Sequence, residues 1–480
     1  MCQPSTDPKR DSSPKLPRQP ASSKFTWIPP QVVLAAFHVV ASLFATEQCA
    51  RSQSAESPSS AIKQWSSGQW TFITDLPIDD EVKSWPNVLD QALLQWCKKW
   101  NIPVDVAKQW PLTIHWIGDR KVFEQAGLLE GTLPFDDGFQ LQDKVFFREQ
   151  PSEYYRRHLL LHEATHWIMY RAFGGAGSPW FMEGMAEVEG THELNQGKLQ
   201  LAIIPSDPLA VPHWGRFKRL RASVEDGKIP SMKQILRFGN QREDRMDRYV
   251  WSWAACVFFR NHPRYAQPLS LAAAPPLDYS DSLSKRLEAS LQNQWDFVEA
   301  DWRLFAQDFD FGYDPTKYIF DTQALLATQQ PVLQPVPQSM IVDSNRGWQG
   351  RAGEVKKGTP LRIRANGQFI IANNPTNTQP NTPWRSSPEG ITIRYHQHFP
   401  LGKLLACFIP NPQSAKPKEF DANNESSPDA LARTAIVFPV GQQTEFIPPA
   451  DGWLLFKINE PTADLADNSG ELQIEIELIK

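Results

Sequence analysis

"HEATHWIMY", residues 162–170, decides how the rest of this chain is read. Residues four apart share one face of an α-helix, so the imidazoles of His162 and His166 can converge on a single ion. Glu163 then sits about 100° around the helix, placed to reach a ligand on that ion rather than the ion itself. Two neutral imidazoles suit Zn²⁺, but a catalytic site needs a third protein ligand and one open position. The spacing alone also fits a surface helix with solvated histidines, so the third ligand carries the decision.

His158 continues the four-residue series, yet it lies about 12 Å along the axis from His166, too far for all three rings to share one tetrahedral ion. It reads as an exposed polar residue. A metzincin would need glycine at 169 and histidine at 172, where this chain has Met169 and Ala172. The remaining candidate is "SPWFMEGMAEVEG", residues 178–190. Pro179 starts a second helix whose first turns present Glu183 and, one turn later, Glu187. Running back beside the first helix, it would place Glu183 on the metal and let Glu187 accept a hydrogen bond from a ligand histidine, fixing its tautomer. Gly184 and Ala186 are small enough for close helix packing. Taken alone, the segment also fits an ordinary acidic amphipathic helix.

Around this site the chain reads as α+β. "WTFITDLP" is a strand stopped at Pro77, "VLDQALLQWCKKW" has helical spacing, and "LTIHWIGD" returns to a strand. "GFQLQDKVFFRE" alternates as a further strand, placed at a sheet edge where an extended peptide could add to it. The helix carrying the histidines is expected from about Glu153 to Phe173, ended by Gly174 and Gly175. From Ser178 to roughly Phe320 the reading is mainly helical, including "DRYVWSWAACVFFRNHP" closed by Pro263. "TQQPVLQPVPQS", residues 328–339, is proline-rich and nearly uncharged, which suits an extended linker. Beyond it the pattern turns to short strands. "GELQIEIELIK" sets Leu472, Ile474, Ile476 and Leu478 on one face and acids on the other.

A length of 480 residues suggests two or three folded units, and 41% hydrophobic content with 18 tryptophans supplies ample core. A net charge of −5 argues against a nucleic-acid partner. Lys9, Arg10, Lys15, Arg18 and Lys24 precede the apolar run Val32 to Ala45, a signal-peptide layout with cleavage expected between Ala45 and Ala55. As a helix this run spans about 21 Å, short of the ~30 Å hydrocarbon core, so no stable transmembrane span is expected and a retained signal anchor is the second choice. The expected location is periplasmic, extracellular or on the cell envelope. Beyond that lead remain Cys97, Cys256 and Cys407, which allow at most one bridge and form no cysteine-based metal site.

"HEATH" followed by "PWFMEGMAE" resembles the gluzincin metallopeptidases, and the layout from "WTFITDLP" onward is similar to the bacterial peptidase MA-like family with its domain DUF1570. The resemblance covers roughly residues 65–320. It implies a zincin-like fold, with a mixed sheet, active-site helices and a helical C-terminal subdomain, and Zn²⁺ held by His162, His166 and Glu183. It also implies Glu163 as general base: Zn²⁺ would bring the pKa of a bound water towards roughly 7, Glu163 would take its proton and later pass it to the leaving amine. The developing oxyanion needs a further donor, for which Tyr249 is the candidate, and a core tyrosine with its hydroxyl at the surface is the other reading of that residue. The glycine-rich amine-binding motif of the aminopeptidase branch is not found, which favours an endopeptidase.

Residues 341–480 hold a second resemblance. "FPLGKLLACFI" and "FPVGQQTEFIPPADGWLLFKINEPTADLADNSGELQIEI" are similar to the calcium-dependent galactose-binding lectin domain of bacteria, a small all-β sandwich. The matched motif would bring Glu460, Asp464, Asp467 and Asn468 around Ca²⁺. An Asp-Asn-Ser-Gly turn joining two strands reads the same residues without an ion.

The organisation expected is a signal peptide and lead over 1–55, a gluzincin-like domain over 61–325, a linker over 326–340 and a lectin-like sandwich over 341–480. Together these imply an exported zinc metallopeptidase acting on peptide or protein substrates, with an accessory domain that binds carbohydrate or a surface. The alternative is a non-enzymatic envelope or adhesion protein with a relic peptidase scaffold and a glycan-binding β domain.

Overall fold

The computed structural model describes residues 62–129, 137–239, 245–327, 336–350, 353–372, 383–411 and 435–479. Contacts divide the chain into two units, Met1–Ala55 and Glu56–Lys480, and every described residue belongs to the second. The signal-peptide reading and most of the proline-rich stretch, residues 328–335, lie outside the described residues. Among the described residues no helix is long and apolar enough to cross a membrane.

The fold is α+β. It opens with strands β1 (Lys63–Ser67) and β2 (Trp70–Thr74), helices α1 (Asp80–Trp100) and α2 (Val104–Ala107), strand β3 (Leu112–Ile117) and helix α3 (Arg120–Gln125). Strands β4 (Gly138–Leu141) and β5 (Lys144–Arg148) complete a five-stranded sheet in the order β1-β2-β3-β5-β4. The inner pairings β2/β3 and β3/β5 are parallel, and the outer ones are antiparallel hairpins. The stretch expected as one strand, "GFQLQDKVFFRE", is thus a hairpin that turns at Gln142, whose φ is 53°. Its first arm, β4, forms the sheet edge.

Alternation decides which way the sheet faces. Ile114, Trp116, Val145 and Phe147 point towards α1 and the next helix, α4 (Glu153–Phe173), where they meet Trp85, Leu89, Trp96, Leu160, Leu161, Ala164, Trp167 and Ile168. Ile117 and Phe146 face the other way, onto Phe123 and Leu129. The bounds of α4 have local causes: the Ser152 side chain accepts a hydrogen bond from the Tyr155 N–H, and Gly174 at φ 80° closes the last turn. Arg171 and Trp167 of α4 both donate to Asp143 in the β4–β5 turn, which ties the helix to the edge hairpin.

Helix α5 (Pro179–Gly190) starts at a proline, as expected, and is followed by strands β6 (His192–Asn195) and β7 (Lys198–Leu201). That hairpin interrupts a region expected to be mainly helical. Helices α6 (Arg216–Glu225), α7 (Met232–Ile235), α8 (Arg245–Asn261), α9 (Ala266–Ala272), α10 (Ser282–Ser290), α11 (Trp295–Asp308), α12 (Pro315–Tyr318) and α13 (Thr322–Ala327) then build a second core around Trp180, Trp214, Trp253 and Trp302. Gly184 of α5 meets α8 rather than α4: a Cβ there would stand 2.4 Å from the Ser252 carbonyl oxygen and 2.6 Å from Cys256 Sγ. Cys97, Cys256 and Cys407 are all free and buried.

The remainder is β: β8 (Gln338–Asp343), β9 (Leu361–Asn366), β10 (Phe369–Ala372), β11 (Trp384–Ser386), β12 (Glu389–His396), β13 (Phe399–Pro410), β14 (Ile436–Pro439), β15 (Gln443–Phe446), β16 (Gly452–Ile458) and β17 (Glu471–Leu478). Strand β8 begins inside the stretch expected to be linker. Two four-stranded sheets, β15-β9-β17-β8 and β12-β13-β14 with β16 paired to β13, share one core. Leu472, Ile474 and Ile476 of β17 face it, in line with their alternation.

Strand β13 is apolar on both faces because both are covered. Leu404, Ala406 and Phe408 point into the sandwich, while Leu405, Cys407 and Ile409, with Trp453 and Leu455 of β16, pack on Leu304 of α11 and on Trp348. A buried ion pair between Lys457 and Asp308 crosses the same junction. The Lys457 ammonium also lies 4.8 Å from the centroid of the Trp348 ring.

Candidate metal centre

Helical spacing puts His158, His162 and His166 along one stripe of α4, with ring centroids 6.2 Å and then 4.9 Å apart. Helix α5 packs beside α4 and delivers Glu183 to the second pair. His162 Nε2 lies 3.2 Å from His166 Nε2, and Glu183 Oε2 lies 3.3 Å from the first and 3.6 Å from the second. These three atoms form a near-equilateral triangle. A tetrahedral Zn²⁺ with ligands at about 2.0–2.1 Å spaces them about 3.3–3.4 Å apart, so the triangle fits one face of such a site. The two ring nitrogens donate or accept according to their tautomers, so the cluster can close around a shared proton or around a cation. Burial raises the Glu183 carboxyl, but hydrogen bonding and charge from His162 and His166 overcome it and hold the group below the usual carboxylate range.

Glu163 is 4% exposed, on the side of α4 that meets the edge strand. A Cβ on Gly138 would stand 2.5 Å from Glu163 Oε1, so the missing side chain in β4 makes room for this carboxylate. Tyr249 of α8 lies nearby, its ring centroid 6.2 Å from that of His162 with the planes at 47°. The structure therefore brings together His162, Glu163, His166, Glu183 and Tyr249 from three helices.

Glu187, one turn beyond Glu183, is 1% exposed. Its Oε1 lies 3.5 Å from His162 Nδ1 and its Oε2 lies 3.4 Å from His158 Nε2. Its short hydrogen bonds come from Arg216, whose Nη2 and Nε donate to the two oxygens at 2.7 Å and 2.9 Å. Burial again raises the Glu187 carboxyl, and the Arg216 guanidinium and His158 outweigh it, leaving it well below its ordinary range.

His158 corrects its sequence reading: it is 0% exposed. Its ring fits because Gly190 at the end of α5 has no side chain. A Cβ at 190 would stand 3.1–3.2 Å from that ring. Burial pushes the His158 imidazole down, partly offset by Glu187. His158, His162 and Glu187 form a second cluster with the geometry of a candidate metal triad, alongside His162, His166 and Glu183. Sequence reading did not find Arg216, which no motif or periodicity marks.

The expected calcium residues are arranged differently. The Asn468 amide donates to Glu460 and, at 2.9 Å, to the Ser344 carbonyl, while Asp464 Oδ2 lies 3.0 Å from the Arg394 guanidinium. Burial, with Asp464 and Asp467 adding to it against the Asn468 hydrogen bond, pushes the Glu460 carboxyl up to about 8. Among the described residues these acids do not form a tight ligand cluster.

No protein-family model matches the sequence, and no curated protein matches it. Among solved structures, the chain is similar to the EclA N-terminal domain, a PllA-like lectin, at 18% identity over 29% of this chain and 95% of that one, with a TM-score of 0.19. It is also similar to IMPa from Pseudomonas aeruginosa in complex with an O-glycopeptide, at 13% identity over 56% of this chain and 24% of that one, with a TM-score of 0.18.

Proposed function

We propose that this protein is an exported zinc metallopeptidase of gluzincin type, with His162, His166 and Glu183 as the metal ligands. The observation that carries the reading is the triangle of His162 Nε2, His166 Nε2 and Glu183 Oε2, with sides of 3.2, 3.3 and 3.6 Å. Zn²⁺ held there would supply Lewis acidity and a water acidified towards neutral pH. The chain's own residues do the rest. Glu163, pressed against the edge strand at Gly138, accepts a proton on the face where substrate would lie and passes it to the departing amine. Strand β4 is the last strand of the sheet among the described residues, and an extended peptide aligned along it would add by main-chain hydrogen bonds. Tyr249 supplies a hydroxyl donor from α8 for charge developing on the scissile carbonyl oxygen.

The β-sandwich is the accessory part of this reading, a carbohydrate- or surface-binding module, and the arrangement of Glu460, Asp464, Asp467 and Asn468 does not fit a Ca²⁺ site. The support for the module is the sequence resemblance together with the two packed sheets.

Elemental analysis and hydrolysis of a casein-type substrate test the proposal together. About one zinc per chain is expected, with turnover that Glu163→Gln removes while zinc is retained. Glu183→Gln should lose both. Metal-free protein that still binds glycan would instead support the adhesion reading.

A further inference from the structure

The second cluster, His158, His162 and Glu187, has the composition of another metal triad, but its carboxylate is already engaged. Arg216 takes both Glu187 oxygens, at 2.7 and 2.9 Å, and its third nitrogen donates to the Trp214 carbonyl at 3.1 Å. Arg216 is itself only 5% exposed. A second divalent ion on Glu187 would sit beside a buried guanidinium, where like charges repel strongly in a low-dielectric setting. The cluster therefore has its cation already, and that cation is an arginine.

Its position points to what it does. Each Glu187 oxygen faces one histidine, Oε1 towards His162 Nδ1 and Oε2 towards His158 Nε2. A carboxylate held at both oxygens by a planar fork cannot rotate about its terminal torsion. Gly215, at φ 65°, brings the chain into α6 so that Arg216, the first residue of the helix, reaches this point. We propose that Arg216 is a positioning residue for the candidate metal centre: it locks Glu187 in the orientation that holds Oε1 facing His162 Nδ1 at 3.5 Å, while His162 Nε2 is turned towards His166 and Glu183. This rests on the metal-centre reading above. Without Arg216, the Glu187 carboxylate is free to rotate, and the acceptor facing His162 Nδ1 is no longer fixed in place to orient that ring when the site is loaded.

The test uses the full-length chain. Zinc affinity is measured by competition with a chromophoric chelator, and the visible spectrum of the Co²⁺-substituted protein reports ligand geometry independently of turnover. Arg216→Gln is expected to weaken zinc binding by about 10–100-fold and to lower and shift the Co²⁺ bands. Arg216→Lys, which keeps the charge but cannot span both oxygens, should fall between that variant and the wild type. Arg219→Gln, altering an exposed arginine of the same helix that pairs with Asp247, should change neither readout. If Arg216→Gln does not fold, Arg216→Lys alone decides: affinity and spectrum equal to wild type would overturn the proposal. Wild-type protein that takes up no zinc would overturn the metal-centre reading and this inference with it, whereas equal affinities in all three variants overturn the role of Arg216 alone.

Discussion

Gly138 and Glu163 are in contact across the boundary between the edge strand β4 and helix α4, with room at 138 for hydrogen but not for carbon. An added methyl would stand 2.5 Å from Glu163 Oε1 and 3.1 Å from the Phe146 carbonyl oxygen. One neighbour is backbone inside a β-ladder and cannot give way, so the carboxylate must move. If Glu163 is the general base proposed above, Gly138→Ala is expected to lower kcat/KM by about 10–100-fold, the loss that displacing such a group by about 1 Å produces. Zinc content should stay at the wild-type level, because Gly138 does not touch the ligands. Parallel kinetics and metal analysis check this, and loss of zinc in the variant would refute it.

How much of this could be read beforehand depends on the range of the interaction. Helix α4 was legible because its period, its Ser152 cap and its Gly174 stop lie within the segment itself. The pairing of Glu183 with His162 and His166 was legible because only a short turn separates the two helices. The β4–β5 hairpin was not, since Gln142 adopts a left-handed conformation usually marked by glycine or asparagine. The burial of His158 depends on Gly190 arriving from another helix, and Arg216 reaches Glu187 across 29 residues with no periodic signal. Long-range charge pairing leaves no mark in a local pattern.

His115 of β3 provides a pH dependence. Its ring stacks on Phe146 at 4.1 Å with an interplanar angle of 11°, and its Nδ1 lies 3.2 Å from the Val145 carbonyl oxygen. Burial, offset in part by that hydrogen bond, pushes the imidazole down to about 4 from an ordinary 6.5. Between those values the unfolded chain binds more protons than the folded one, so the stability is fully present above about pH 6.5 and is lost as pH falls towards 4. The loss from this residue is on the order of 3 kcal/mol. His115→Phe keeps the stacking and removes the titration, so its melting temperature should fall less steeply over that window. It should also be lower at neutral pH, because Val145 loses a partner at a cost of about 1 kcal/mol. Melting curves from pH 7 to pH 4 decide, and equal slopes in the two proteins would count against the assignment.

Lys457 and Asp308 are each 4% exposed and join the β-sandwich to α11. Removing one partner leaves a charge buried without compensation, so Lys457→Met or Asp308→Leu should each cost about 3–5 kcal/mol. Replacing both with apolar residues of similar size removes the two charges together and should recover most of that loss. A double-mutant cycle in denaturant measures the coupling. It also reports whether the β-sheets unfold with the helical part: a single transition in wild type that splits in the single mutants would show that this junction carries the cooperativity.

Gly184 sets the distance between α5 and α8, and it adjoins Glu183, the proposed third ligand. A Cβ at 184 would meet the Ser252 carbonyl oxygen at 2.4 Å and Cys256 Sγ at 2.6 Å, both on a helix fixed by Trp253 and Phe259 in the core. Helix α5 must therefore shift away from α8, and Glu183 shifts with it. Gly184→Ala is expected to destabilise the fold by about 1–3 kcal/mol, the usual cost of overpacking. It should also weaken zinc binding, because the carboxylate leaves the triangle that it forms with His162 and His166. Gly184→Ala combined with Cys256→Ala removes one of the two clashes while the Ser252 carbonyl remains. The double variant should therefore regain part of the stability and part of the zinc affinity together. Recovery of stability with no recovery of affinity would show that α5 can move without carrying Glu183 out of reach.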